Sequence, residues 1–183
     1  ARMVERSGLS ENEFDLLVDR VMTGADKVPA SIARLASIGR DHRVPLLSHD
    51  DESPDQRAHF RSLGIDVAEF PINEETARAA VERGDFTVFG APNVVRGGSH
   101  TGWTSAAEMV SKGLCSILAS DYYYPAPLLA AFLLAADNIL PLPQAWALVS
   151  GAPAAATGLH DRGQIATGKR ADIILVDARE PLR

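Results

Sequence analysis

Three short apolar runs along the chain each end on a cluster of polar residues. Val44-Pro45-Leu46-Leu47 leads into Ser48-His49-Asp50-Asp51, and Phe86-Thr87-Val88-Phe89 leads into the glycine- and donor-rich stretch 90–100. Ile117-Leu118-Ala119 leads into Ser120-Asp121-Tyr122-Tyr123-Tyr124-Pro125. Strands buried on both faces of a parallel sheet read as continuous apolar runs. In α/β enzymes the chemistry sits at the carboxyl ends of such strands. The layout is an enzyme's.

Between these runs the period changes to that of helices. Ser10 is placed to cap a helix over 11–21, with Glu13 in the capping-box position. A second helix is predicted over 25–41, with Val28, Ile32, Leu35 and Ile38 on one face. Strands are predicted over 43–48, 65–70, 85–89 and 114–119. Pro54 suits the first turn of a helix that Gly64 closes, and Asn73-Glu74-Glu75 starts another ending at Gly84. Further helices are predicted over 103–112, 126–138 and 142–150. From Gly158 the chain turns often around the apolar run Ile173-Ile174-Leu175-Val176, which reads as small β structure.

About four βα units in series predict a parallel α/β sheet or barrel. A full (β/α)8 barrel takes about 250 residues, and this chain has 183. The expectation is therefore either a small open α/β fold or the C-terminal half of a barrel, with 1–157 forming the barrel part and 158–183 appended strands.

A net charge of −6 argues against binding nucleic acid or a membrane surface through bulk charge. No run approaches the roughly 18 apolar residues of a membrane span, and no secretory signal is visible. The single cysteine, Cys115, rules out an internal disulfide and lies in an apolar run, as a buried structural thiol would. A reducing cytoplasm is the expected setting.

His49-Asp50-Asp51 offers the nitrogen and oxygen donors used by zinc and similar cations. The same residues also fit a plainer role, with His49 packed and Asp50 or Asp51 capping the next helix; Asp51 is nearer to it. In 90–100, Gly97 and Gly98 permit close backbone approach, while Asn93, Arg96, Ser99 and His100 add donors around an oxyanion. Arg96 matches phosphate oxygens with its fork, and a helix starting near Thr101-Gly102 would point its positive end there. A surface loop is the alternative. Asp121 is placed to ligate a metal and act as a general base, or to cap the helix after Pro125. Glu69 ends its own strand and is a further acidic candidate. His42, His59 and His160 fall in polar stretches and read as solvated.

The segments Ser48-His49-Asp50-Asp51, Ala68-Glu69-Phe70-Pro71, 90–100 and Ala119-Ser120-Asp121-Tyr122-Tyr123 follow one another in the order that resembles the phosphonate-metabolism diphosphatases of the amidohydrolase superfamily. The tail, Asp161-Arg162-Gly163-Gln164-Ile165 through Gly168-Lys169-Arg170-Ala171-Asp172, resembles the strands that return to that superfamily's small β-sandwich. The resemblance implies a (β/α)8 barrel that uses a divalent metal (zinc, with manganese or iron as alternatives). It implies hydrolysis of a phosphonate-bearing ribose 5-triphosphate to the 5-phosphate and diphosphate. It makes His49 and Asp121 metal ligands and Asp121 the base. Asn93, Arg96, Gly97, Gly98, Ser99 and His100 would contact phosphate. Two features depart from the family's pattern: Trp103 stands where members carry Asn, and the first-strand His-x-His pair is not in this sequence. The expectation is the later half of the site, inactive alone. A cyclic amidase or deaminase, and a non-catalytic α/β piece that self-associates over its open sheet edges, are the alternatives.

Overall fold

The computed structural model of the chain describes residues 2–97 and 105–178. Three helices come first: α1 (Arg2–Ser7), α2 (Glu11–Met22) and, after a short 3₁₀ turn, α3 (Val28–Asp41). The alternation then begins. It runs β1 (Leu47–His49), α4 (Pro54–Ser62), β2 (Val67–Glu69), α5 (Glu74–Glu82), β3 (Phe86–Gly90), α6 (Ala91–Arg96), α7 (Ala106–Ser111) and β4 (Ile117–Ala119). Helices α8 (Ala126–Ala136), α9 (Leu142–Ala147) and α10 (Gly151–Ala156) close the series. Among the described residues no helix is long and apolar enough to cross a membrane.

The four strands form one parallel sheet in chain order, β1-β2-β3-β4. Helical crossovers between neighbouring parallel strands give this arrangement. Three of the four strands are shorter than predicted, while β3 keeps five residues and is shifted by one. The helix starts follow local chemistry. Ser10 and Glu13 form the capping box, and Ser53 and Asn73 accept from the Gln56 and Thr76 amides at 3.2 and 2.8 Å.

Side chains alternate across the sheet. Phe89 and Leu118 face the helices, where Ala77, Met109, Leu134 and Ala145 complete the main core. Alanines at 126, 130 and 131 let α8 approach closely. Val67, Val88 and Ile117 point the other way, and Ala152 and Ala156 of α10 pack on them. Cys115 is buried, and burial pushes its thiol up to about 12, so it stays protonated and inert at neutral pH.

The described residues depart from three expectations. The apolar stripe predicted on α3 lies largely outward: Val28, Leu35 and Ile38 are 51%, 64% and 44% exposed, and Ile32 is half-buried. The inner face is instead Ala36 and Gly39, and Leu46 lies so close that a Cβ on Gly39 would meet its Cδ1 at 2.6 Å. Small residues let α3 sit against the start of β1, which leaves its large residues outside. Secondly, 91–96 is helical rather than loop, with Pro92 in its first turn and Gly97 ending it at φ 74°. Thirdly, the apolar run 173–176 forms no ladder among the described residues, and Ile173, Ile174 and Leu175 are exposed. A strand needs a neighbour to pair with, and the described residues offer none there.

Candidate functional site

The carboxyl ends of the four strands bring the predicted residues onto one edge. His49 is in register with Glu69, and Glu69 with Val88. Two residues beyond Val88, Gly90 pairs with Ala119, which stands two residues before Asp121. By the two-residue alternation, His49, Glu69 and Gly90 share the face that Val67 and Val88 line more deeply.

His49 is half exposed and lies between two carboxylates. Its Nδ1 is 3.2 Å from Asp50 Oδ2, and its Nε2 is 3.9 Å from Glu69 Oε2. The Phe70 ring stands edge-on to it at 5.4 Å. Asp50 and Phe70, each one residue past its strand, both have left-handed backbones, with φ of 57° and 54°. Each still donates its amide to the next strand, Asp50 to Glu69 O and Phe70 to Val88 O, both at 2.9 Å. The chain thus stays paired while it turns at the strand end.

The other half of the edge belongs to β3 and β4. A Cβ on Gly90 would lie 3.7 Å from Asp121 Oδ2 and 3.8 Å from Phe70 Cε1. Phe70 and Asp121 therefore flank Gly90, where a glycine leaves room. Arg96, the last residue of α6, donates from Nη1 to the Tyr122 hydroxyl and lies 5.3 Å from the centre of its ring. Asn93 Oδ1 accepts the Ala106 amide at 2.8 Å and so ties α6 to the start of α7. The two later clusters are joined into one; the first reaches them through Phe70.

Several expectations change at this level. Asp51 does not cap α4. Ser53 does, while Asp51 is fully buried against Arg57. Asp121 does not cap α8, whose start at Pro125 has no side-chain cap, and its own φ is 50°. The helix after the glycine pair begins at Ala106 behind Ser105, later than predicted. Gly98, Ser99, His100, Thr101, Gly102 and Trp103 lie outside the described residues. His42, His59 and His160 are exposed, as expected of solvated side chains.

One structural group escaped the pattern reading entirely. Arg57, on an otherwise polar helix, is fully buried. Its Nη1 donates to Ser48 Oγ at 2.7 Å and Asp51 Oδ2 at 2.9 Å, and its Nη2 donates to Ile65 O. Its Nε lies 3.3 Å from Asp85 Oδ2, and Arg61 pairs with the same carboxylate's other oxygen. Burial pulls the Arg57 guanidinium below its ordinary value, and the charge of Asp51 opposes that pull. Arg57 thereby pins the exit of β1 to the chain entering β2 and β3. The only trace in the sequence is an arginine with aspartates six residues before and 28 after, a spacing that no single helix or strand relates.

The donors at this edge, one imidazole and several carboxylates, suit a divalent cation in kind. Among the described residues they do not suffice in number: no three His, Cys, Asp or Glu side chains converge to hold a metal.

Comparison with known proteins agrees with the geometry. Residues 11–183 match the model of the amidohydrolase family. Over 149 residues the chain is 46% identical to alpha-D-ribose 1-methylphosphonate 5-triphosphate diphosphatase of Escherichia coli (strain K12), a match covering 80% of this chain and 39% of that protein. The four-stranded parallel sheet fits part of that family's barrel.

Proposed function

The chain belongs to the amidohydrolase family, and from that premise we propose that it carries the later βα units of a hydrolase releasing diphosphate from a ribose that bears a methylphosphonate and a 5-triphosphate. The supporting observation is the meeting of Asp121, Gly90 and the Arg96–Tyr122 pair at adjoining strand ends, in a chain so similar to a diphosphatase.

In this reading His49 and Asp121 would help to hold a divalent cation, zinc or else manganese or iron. Such a cation supplies, when bound, a lowered pKa for the attacking water. The Asp121 carboxylate takes the proton from that water as general base. Arg96 meets phosphate oxygens with its fork and offsets the charge that grows on the departing diphosphate. Asn93 contributes its amide N–H groups, since its Oδ1 already accepts from Ala106. The backbone of Gly97 and Gly98, with Ser99 and His100, would complete the phosphate contacts.

We assign 1–157 to the barrel and 158–183 to strands of a small β-sandwich, which find their partners in the complete domain. The open edge of β1 and the outward face of α3 are where further barrel strands would pack. Ligand number sets metal affinity, so this stretch by itself is expected to be inactive.

Activity is therefore best read in a chimera in which this chain replaces the matching segment of the Escherichia coli relative. There, Arg96→Ala should raise KM for the triphosphate about 10- to 100-fold, the scale of a lost charged hydrogen-bonding partner. KM for an uncharged substrate analogue should hardly move. An equal rise for both would remove Arg96 from phosphate binding.

A further inference from the structure

We propose that Tyr122 is a positioning residue for anion binding: its hydroxyl and ring hold the Arg96 guanidinium at the strand-end edge, pre-set for a polyphosphate. The proposal rests on the reading of Arg96 as a phosphate ligand and adds the residue that orients it.

Arg96 is exposed at the end of a six-residue helix. A free arginine side chain there would rotate widely, and fixing it on binding would cost rotamer entropy. Tyr122 reduces that freedom in advance. It accepts one N–H from Nη1, and its ring lies 5.3 Å from the guanidinium carbon.

The kind of partner matters as much as the contact. Some surface arginines pair with carboxylates, as Arg78 does with Glu74 and Arg162 with Asp161, while Arg40 and Arg83 donate to backbone carbonyls. Pairing with a carboxylate cancels the charge locally. Among the described residues no carboxylate pairs with Arg96. A phenol hydroxyl is neutral and takes one of five donors, so it orients the group while leaving its charge and four N–H groups for an anion. Preorganisation of this kind raises affinity by lowering the ordering cost of binding.

The placement also favours the role. Arg96 leaves β3 through α6, and Tyr122 follows Asp121 beyond β4, so the pair spans two neighbouring strand ends. Asp121 lies beside Gly90 within the same cluster. A tethered guanidinium here meets an anion next to the proposed base.

The test is a double-mutant cycle on this chain, reading the Kd for inorganic tripolyphosphate by titration calorimetry. Tyr122→Phe keeps the ring and deletes the hydroxyl. It should weaken binding about three- to tenfold, the net worth of one typical hydrogen bond, without moving the thermal midpoint. In an Arg96→Ala background the same change should have no further effect. If Tyr122→Phe is silent in the wild type, or costs as much without Arg96 as with it, the positioning role is overturned while Arg96 remains a phosphate ligand. If Arg96→Ala leaves tripolyphosphate affinity unchanged, or the wild type does not bind it, the underlying reading fails and the proposal falls with it.

Discussion

Arg57→Ala is expected to lower the unfolding free energy by about 3–5 kcal/mol, the scale measured when one partner of a buried ion pair is removed. Both Asp51 and Asp85 are buried beside this guanidinium. Truncation would leave Asp51 with only the Ser48 hydroxyl and deprive the Ile65 carbonyl of its donor. Asp85 would keep Arg61, which places the loss within that range rather than beyond it. For a domain of this size the midpoint should fall by roughly 6–20 °C. Removing Asp51 together with Arg57 should restore part of the loss, because no unpaired charge then remains at that position. Urea unfolding of the three proteins measures both numbers. A loss below about 1 kcal/mol for Arg57→Ala would mean that water or another cation reaches the two carboxylates.

The second large effect is on turnover. In the chimera, Asp121→Asn should lower kcat by about 100- to 10,000-fold, the contribution of a positioned general base. Asparagine is the sharper substitution here, since Asp121 has a φ of 50°. Asparagine adopts that left-handed conformation readily, whereas alanine adds backbone strain. Asp121 is also exposed, so stability should change by no more than about 0.5 kcal/mol. A kcat that survives Asp121→Asn would take the base role away from this residue. A kcat lost together with the fold would leave the loss unassigned to chemistry, which a melting curve of the same sample detects.

The sheet was legible in the sequence because burial on both faces makes parallel strands continuous apolar runs, and the helices between them imply parallel crossovers. The donor clusters were legible for the same reason: they begin where the apolar runs stop. The face of α3 was not. Amphipathic spacing locates an apolar stripe but not what covers it, and here Ala36 and Gly39 make the contact instead. Helix α6 was hidden because Gly90, Pro92 and Gly97 are loop residues by type, although they are also suitable starting and stopping residues for a short helix. Arg57 was hidden because its partners come from distant parts of the chain. The joining of Arg96 to Tyr122 was hidden likewise, since only the adjacency of β3 and β4 brings them together.

The central claim is that this edge serves hydrolysis of a phosphate anhydride rather than an amide or amine. Product analysis of the chimera addresses it most directly, with phosphorus NMR following the ribose methylphosphonate triphosphate, an ammonia assay run on amine substrates and a ring-opening assay run on cyclic amides. The account predicts stoichiometric diphosphate and 5-phosphate, with no ammonia above background. Ammonia release or ring opening of a cyclic amide, without diphosphate, would contradict it and move the chain to the deaminating or amide-cleaving side of its family.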